Sequence, residues 1–189
     1  MEGRNTRIYI VAWVIAILLA GGAAVYKYHL VSRFVETREV PKLGEPGSTH
    51  AHVSLLMMNK NEPISLCDKK FMLASQAVHF EDDDCTVVHK HATGVTLQEF
   101  FKSIEVKLTP TCFTAPDHPK LCSDGKNTLR VVLNGKEISI TDLTYYELNN
   151  NDHIMINFGP EEGALLRFKY NAVPSIPLDV NEPDPDVLF

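Results

Sequence analysis

Two His-x-His pairs, His50/His52 and His89/His91, most constrain what this chain can fold into. In an extended strand, residues i and i+2 point to the same face, so each pair presents both imidazoles together when its segment is a strand. A fifth histidine, His79, opens the stretch HFEDDDCTVVHKHATGVT from residue 79 to 96, which also holds the carboxylates Glu81, Asp82, Asp83 and Asp84. Neutral imidazole binds zinc, copper, nickel and iron, and three or four nitrogens complete a tetrahedral or tetragonal site. Two such strands side by side would offer four imidazoles on one sheet face, with His79 completing or replacing a ligand. The candidate metal ligands are therefore His50, His52, His79, His89 and His91. An all-nitrogen set favours copper or zinc, and His-x-His strands suit the tetragonal geometry of copper.

The plainer reading of the same residues is a polar core in which the histidines are hydrogen-bonded. Met57 and Met58 follow His52 on an apolar run and read as core rather than as ligands. The run Glu81 to Asp84 reads as a solvated turn, because a calcium loop needs an alternating spacing that it lacks. His29, His118 and His153 stand outside the set: one in the segment after the apolar N-terminal run, one in a cysteine-bounded loop, one at a strand start.

The N-terminal segment bears on location. Ile8 to Tyr26 carries no charge over nineteen residues, long enough as a helix to cross about 30 Å of hydrocarbon. It predicts a single transmembrane helix, an uncleaved anchor being favoured over a long signal peptide with a cleavage site among the small residues Ala20 to Ala24. Anchor and stalk then cover residues 1–40, a Pro/Gly-rich linker 41–48, a globular domain 49–170 and a Pro/Asp-rich tail 171–189. From residue 41 onward thirteen Lys/Arg face twenty-one Asp/Glu, with no basic patch, so nucleic acid is not an expected partner. The expected location is the cell membrane, single-pass, with the globular domain on the extracytoplasmic side and another membrane protein complex as a partner. Four cysteines, Cys67, Cys85, Cys112 and Cys122, fit structural disulfides in that setting. Sequence neighbours make the simplest pairing, Cys67–Cys85 and Cys112–Cys122, out of three connectivities. No Cys-x-x-Cys occurs, so a thioredoxin-type redox centre has no local support.

The globular part reads as strands around one helix. His52 to Met58 is an apolar strand turning at Asn59–Pro63 into a return strand from Ile64, and Thr86 to His91 is β-branched and extended. Thr96-Leu97-Gln98-Glu99 is a capping box that opens a helix bearing Phe100, Phe101 and Ile104. Leu129 to Ile140 forms a hairpin about Asn134-Gly135, and His153 to Phe158 is a last strand. The fold class is α+β: a β-grasp-like mixed sheet with one packed helix, preceded by the transmembrane segment.

The order TLQEFF, LRVVLNGKEISI, NNNDHIMINFG resembles small sulfur-carrier and related β-grasp domains. A sulfur carrier needs a Gly-Gly tail, where this sequence has EPDPDVLF, so the carrier function is not expected. THAHVSLLMMN, VHFEDDD and VHKHATGVTLQEFF, followed by the cysteine loop, NTLRVVLNGK and DHIMINFG, are together similar to a family of uncharacterised membrane-anchored histidine-rich proteins found largely in archaea. The name protein-disulfide isomerase is sometimes attached to that family. The resemblance covers about residues 49 to 160; it implies a tethered histidine-rich domain and no particular chemistry. Where that family has Gly-Asp-Lys before the last strand, this chain has Asn151-Asp152-His153.

Three function classes compete. One is a membrane-tethered metal-binding module acting as carrier, sensor or accessory subunit. The second is a structural or interaction protein with a histidine core. The third is a metalloenzyme with Glu81 or Asp82 as general base. The enzyme ranks below the binder, since neither His-Glu-x-x-His nor Gly-x-Ser-x-Gly occurs and no catalytic residue is assigned.

Overall fold

The structure, a computed structural model, describes Trp13, residues 16–25 and residues 39–176. The chain divides into two compact units, Met1–Glu39 and Val40–Phe189. In the first, residues 16–25 are helical. Among the described residues no helix is long and apolar enough to cross a membrane, which corrects the expected transmembrane helix and the single-pass location drawn from it. At 1.5 Å per residue, the described helical run reaches about 15 Å, half the hydrocarbon thickness. The rest of the uncharged run and of the expected stalk lies outside the described residues.

The second unit is α+β with a mixed sheet. Its strands are β1 (Ala51–Asn59), β2 (Glu62–Pro63), β3 (Val78–Glu81), β4 (Asp84–Lys90), β5 (Lys107–Leu108), β6 (Cys112–Thr114), β7 (Leu121–Cys122), β8 (Thr128–Leu133), β9 (Lys136–Ile138) and β10 (Asp152–Gly159). The main sheet runs β3-β4-β1-β10-β8-β9, with β2 also paired to β1. Only β1 and β10 are parallel; the neighbouring pairs are antiparallel. The return strand expected from Ile64 does not form: β2 lies at Glu62–Pro63, within the expected turn, and Ile64 adds one backbone bond to the Met57 carbonyl at 2.7 Å. The first half of β1 pairs with β4 instead, because β4 carries the β-branched residues that fit a buried pleat.

Three short helices replace the expected single one: α1 (Leu97–Ser103), α2 (Ile140–Thr144) and α3 (Gly163–Tyr170). Thr96 caps α1, its hydroxyl oxygen accepting from the Glu99 N–H at 3.3 Å. Ser139 caps α2 in the same way through the Asp142 N–H at 2.9 Å, which ends β9 two residues before the expected strand end at Ile140. The β8–β9 turn has positive φ at Asn134 (49°) and Gly135 (78°), the type I′ geometry that Asn-Gly suits. The cysteine loop is a small sheet of its own, β5-β6-β7, with Cys112 opposite Cys122. Both disulfides form between sequence neighbours, Cys67–Cys85 and Cys112–Cys122.

Strand alternation gives the main sheet two unlike faces. One carries Val53, Leu55 and Met57 of β1, Val78 and Phe80 of β3, Val88 of β4, Val131 of β8 and Ile154 and Ile156 of β10. This face packs on α1, whose Phe100 and Phe101 are buried, with Phe80 edge-on to Phe100 at 4.8 Å between ring centroids. The opposite face is divided. Over β8, β10 and β1, helix α3 and the residues after it cover Val132, Met155 and Leu56. Over β1, β4 and β3 the same face is polar and carries the histidines.

Truncating Phe100→Ala removes a ring with no solvent exposure from the centre of this core. The variant is expected to lose about 3–5 kcal/mol of stability in a urea titration. A loss within about 0.5 kcal/mol, typical of surface changes, would mean that α1 is not seated on the sheet as described.

Candidate metal centre

The register of three adjacent strands brings the histidines together. His52 on β1 lies opposite His89 on β4, and His89 lies opposite His79 on β3. Each pair shares a face, so the three imidazoles form a row across the sheet. His50 and His91 stand one step further along the same two strands, just outside their paired ends. Their placement depends on the preceding residues 44–48, which are stitched to the 91–94 turn. The Gly44 N–H donates to the Thr93 carbonyl at 2.9 Å, and the Gly47 N–H to the His91 carbonyl at 2.7 Å. Gly94 makes the close approach workable: its φ is 73°, and a Cβ there would collide with the Lys42 carbonyl.

The five imidazoles and one carboxylate close into a ring. Centroid separations are 4.6 Å for His89–His52, 4.6 Å for His52–His50, 4.9 Å for His50–His91 and 4.9 Å for His91–His79. Glu81 closes the circuit, with Oε2 3.1 Å from His79 Nε2 and Oε1 2.6 Å from His89 Nδ1. His52, His79 and His89 are buried, His91 and Glu81 half-buried, and His50 is exposed at the mouth.

Glu81 is the residue that the solvated-turn reading of the acidic run missed as a ligand. Only Asp82 and Asp83 form the turn, with φ of 54° and 57°, while Glu81 belongs to β3. His79-x-Glu81 has the same i, i+2 spacing as the two His-x-His pairs, and that spacing was the available signal. Asp82, the other candidate base, is exposed at the turn tip. Met57 is buried in the core and offers no ligand. His118 and His153 lie away from the ring, bonded to the backbone carbonyls of Ser65 and Asn151.

Hydrogen bonding within the ring is incomplete. His79 Nδ1 lies 2.6 Å from the Ser75 carbonyl, an acceptor only, so Nδ1 carries the proton and donates. In the neutral ring Nε2 is then a lone-pair acceptor, yet it faces the acceptor-only Glu81 carboxylate. Two acceptors at that distance need a proton or a metal cation between them. Imidazole held by a backbone carbonyl on one nitrogen, with the other free to ligate, is also the usual orientation of metal-binding histidines. Two further buried nitrogens, His89 Nδ1 and His91 Nε2, have no hydrogen-bond partner. Glu81 Oε1 is near His89 Nδ1 but out of line for an N–H bond.

Burial pushes the His89 imidazole down to about 4; Glu81 opposes this, while His52, His79 and His91 add to it. His91 is lowered by burial and then by His79 and His50. Burial alone would raise the Glu81 carboxyl, but the surrounding His89, His79 and His91 outweigh it and hold the group below its usual range. His89 and His91 are thus biased toward neutral imidazole and Glu81 toward carboxylate, the forms that ligate metal.

The donor atoms fall into two triads: His50, His52 and His89, and His79, Glu81 and His91. Within each triad the atoms lie within 4.8 Å of one another. His50 Nε2 and His52 Nε2 are 3.0 Å apart, near the roughly 3.3 Å between two nitrogens on one tetrahedral ion with 2.0–2.1 Å bonds.

No family model matches the chain, and no curated protein or solved structure matches it significantly.

The depressed His89 pKa sets a pH dependence for the chelated chain. Unfolded, His89 titrates near 6.5; folded, it refuses the proton down to about 4. Between those values the unfolded state binds more protons, so stability is full above about pH 6.5 and falls as pH drops toward 4. The urea midpoint is expected to be lower at pH 5 than at pH 7, with a smaller drop in His89→Gln. Equal midpoints at the two pH values would contradict the burial of a neutral His89.

Proposed function

We propose that this chain is a metal-binding protein that holds copper or zinc on its histidine face, as a carrier, sensor or accessory subunit. One observation carries the reading: five imidazoles from distant parts of the sequence meet on one sheet face with buried nitrogens left without hydrogen-bond partners. Buried polar groups in folded proteins are normally satisfied, and exceptions at a cluster of good ligands support a cation-binding role. Nitrogen donors with one carboxylate and no thiolate suit borderline divalent ions such as copper and zinc. All four cysteines are in disulfides and unavailable as ligands.

The second reading, a structural histidine core, is favoured by the His79–Ser75 bond and the His50–His52 contact. It accounts for those contacts, and a proton between His79 and Glu81 satisfies that pair, but it leaves His89 Nδ1 and His91 Nε2 without explanation.

Metal content by mass spectrometry separates the two. The full chain, purified without a histidine tag or chelator, is expected to retain copper or zinc through dialysis. The His89→Ala/His91→Ala variant takes one nitrogen from each triad and is expected to lose the metal while keeping its far-ultraviolet circular dichroism. A folded wild-type chain that stays metal-free after loading would sink the metal reading.

A further inference from the structure

We infer that the ring is a dinuclear centre: it takes two divalent transition-metal ions, one per triad, linked by the Glu81 carboxylate. The inference rests on the metal-binding reading above and says how the site is divided.

The donors do not converge on one point. They separate into His50/His52/His89 and His79/Glu81/His91, each compact enough for one ion. The ring also has width, with His79–His89 and His89–His91 centroids 6.3 Å and 6.5 Å apart against 4.6–4.9 Å between neighbouring imidazoles. A single ion bonded at about 2 Å reaches one triad and leaves the other unligated. That would leave the three donors of the other triad without a cation.

Glu81 is placed to serve both. Its Oε2 faces His79 of the second triad, and its Oε1 faces His89 of the first. Ions in two-metal sites stand about 3.5–4 Å apart, a span that one carboxylate bridges with its two oxygens. The β3–β4 register shifts between His79 and Glu81, and the i, i+2 spacing on β3 keeps this carboxylate on the face of His79. Counting the bridge, the first ion has four protein ligands, a closed tetrahedral set, while the second has three and a further position for water or an anion.

The test uses the full chain loaded with Cu(II) and dialysed, with ions counted by mass spectrometry and their coupling read by electron paramagnetic resonance. Two ions per chain are expected, with the ordinary Cu(II) signal depleted by spin coupling. His50→Ala/His52→Ala and His79→Ala/His91→Ala should each fall from two ions to one and regain an uncoupled signal. Glu81→Gln, nearly isosteric, should lose the coupling whether or not the second ion remains. One ion per wild-type chain, lost in both double variants, overturns the dinuclear centre and leaves the single-site metal binder standing. Two ions with no coupling overturn the Glu81 bridge. A chain that binds no ion removes the metal-binding reading itself. The wild-type count and spectrum decide the question even where a double variant fails to fold.

Discussion

The antiparallel register between β1 and β4, with His52 opposite His89, is the constraint on which the histidine face depends. Side chains in a strand alternate between faces, so a one-residue slip would send the histidines into the apolar core and Val53 and Val88 to the outside. Both consequences are costly, and they hold the register from opposite sides. The core side contributes hydrophobic burial, and the Lys90 ammonium, turned inward by the same alternation, is bound by Glu147 at 2.7 Å and the Leu148 carbonyl at 2.6 Å. A buried lysine without those partners would favour another register.

The two halves of the outer sheet face follow different physics. Over β10 and β8 it is closed by α3, held by the Lys169–Glu161 pair and the small cluster of Val132, Met155 and Leu166. Ser54, between the two halves, donates its hydroxyl to the Pro174 carbonyl at 2.6 Å, marking where the C-terminal segment crosses β1. Beyond it the histidine half packs imidazoles against one another and leaves nitrogens unsatisfied. There, local polar satisfaction and packing do not agree.

Some of this was legible in the residues and some was not. The strands bearing the histidines, the Thr96 cap, the Asn134-Gly135 hairpin and the β-branched β4 all rest on local chemistry and appear where that chemistry puts them. Helix α2 was missed although Ser139-Ile140-Thr141-Asp142 carries a cap signature, because the preceding hairpin pattern runs straight into it. Helix α3 was missed because Gly163 and a weakly patterned run give little helical periodicity; it is held by packing on the sheet. Glu81 was assigned to a turn that takes only its two neighbours. The transmembrane segment was read from charge and length alone, and among the described residues no helix meets the length and apolarity that a crossing needs.

The i, i+2 spacing in the residues already put His50 beside His52, and His89 beside His91, because side-chain alternation is a property of one extended chain and carries one residue past each strand end. The sequence by itself also determined the donor chemistry, nitrogen with carboxylate nearby. Only the tertiary structure decided that the two strands lie side by side, that His79 and Glu81 complete the ring from β3, and that the donors divide into two triads. Those outcomes depend on pairing between segments far apart in sequence, which is set by the burial of the opposite face rather than by the histidines themselves.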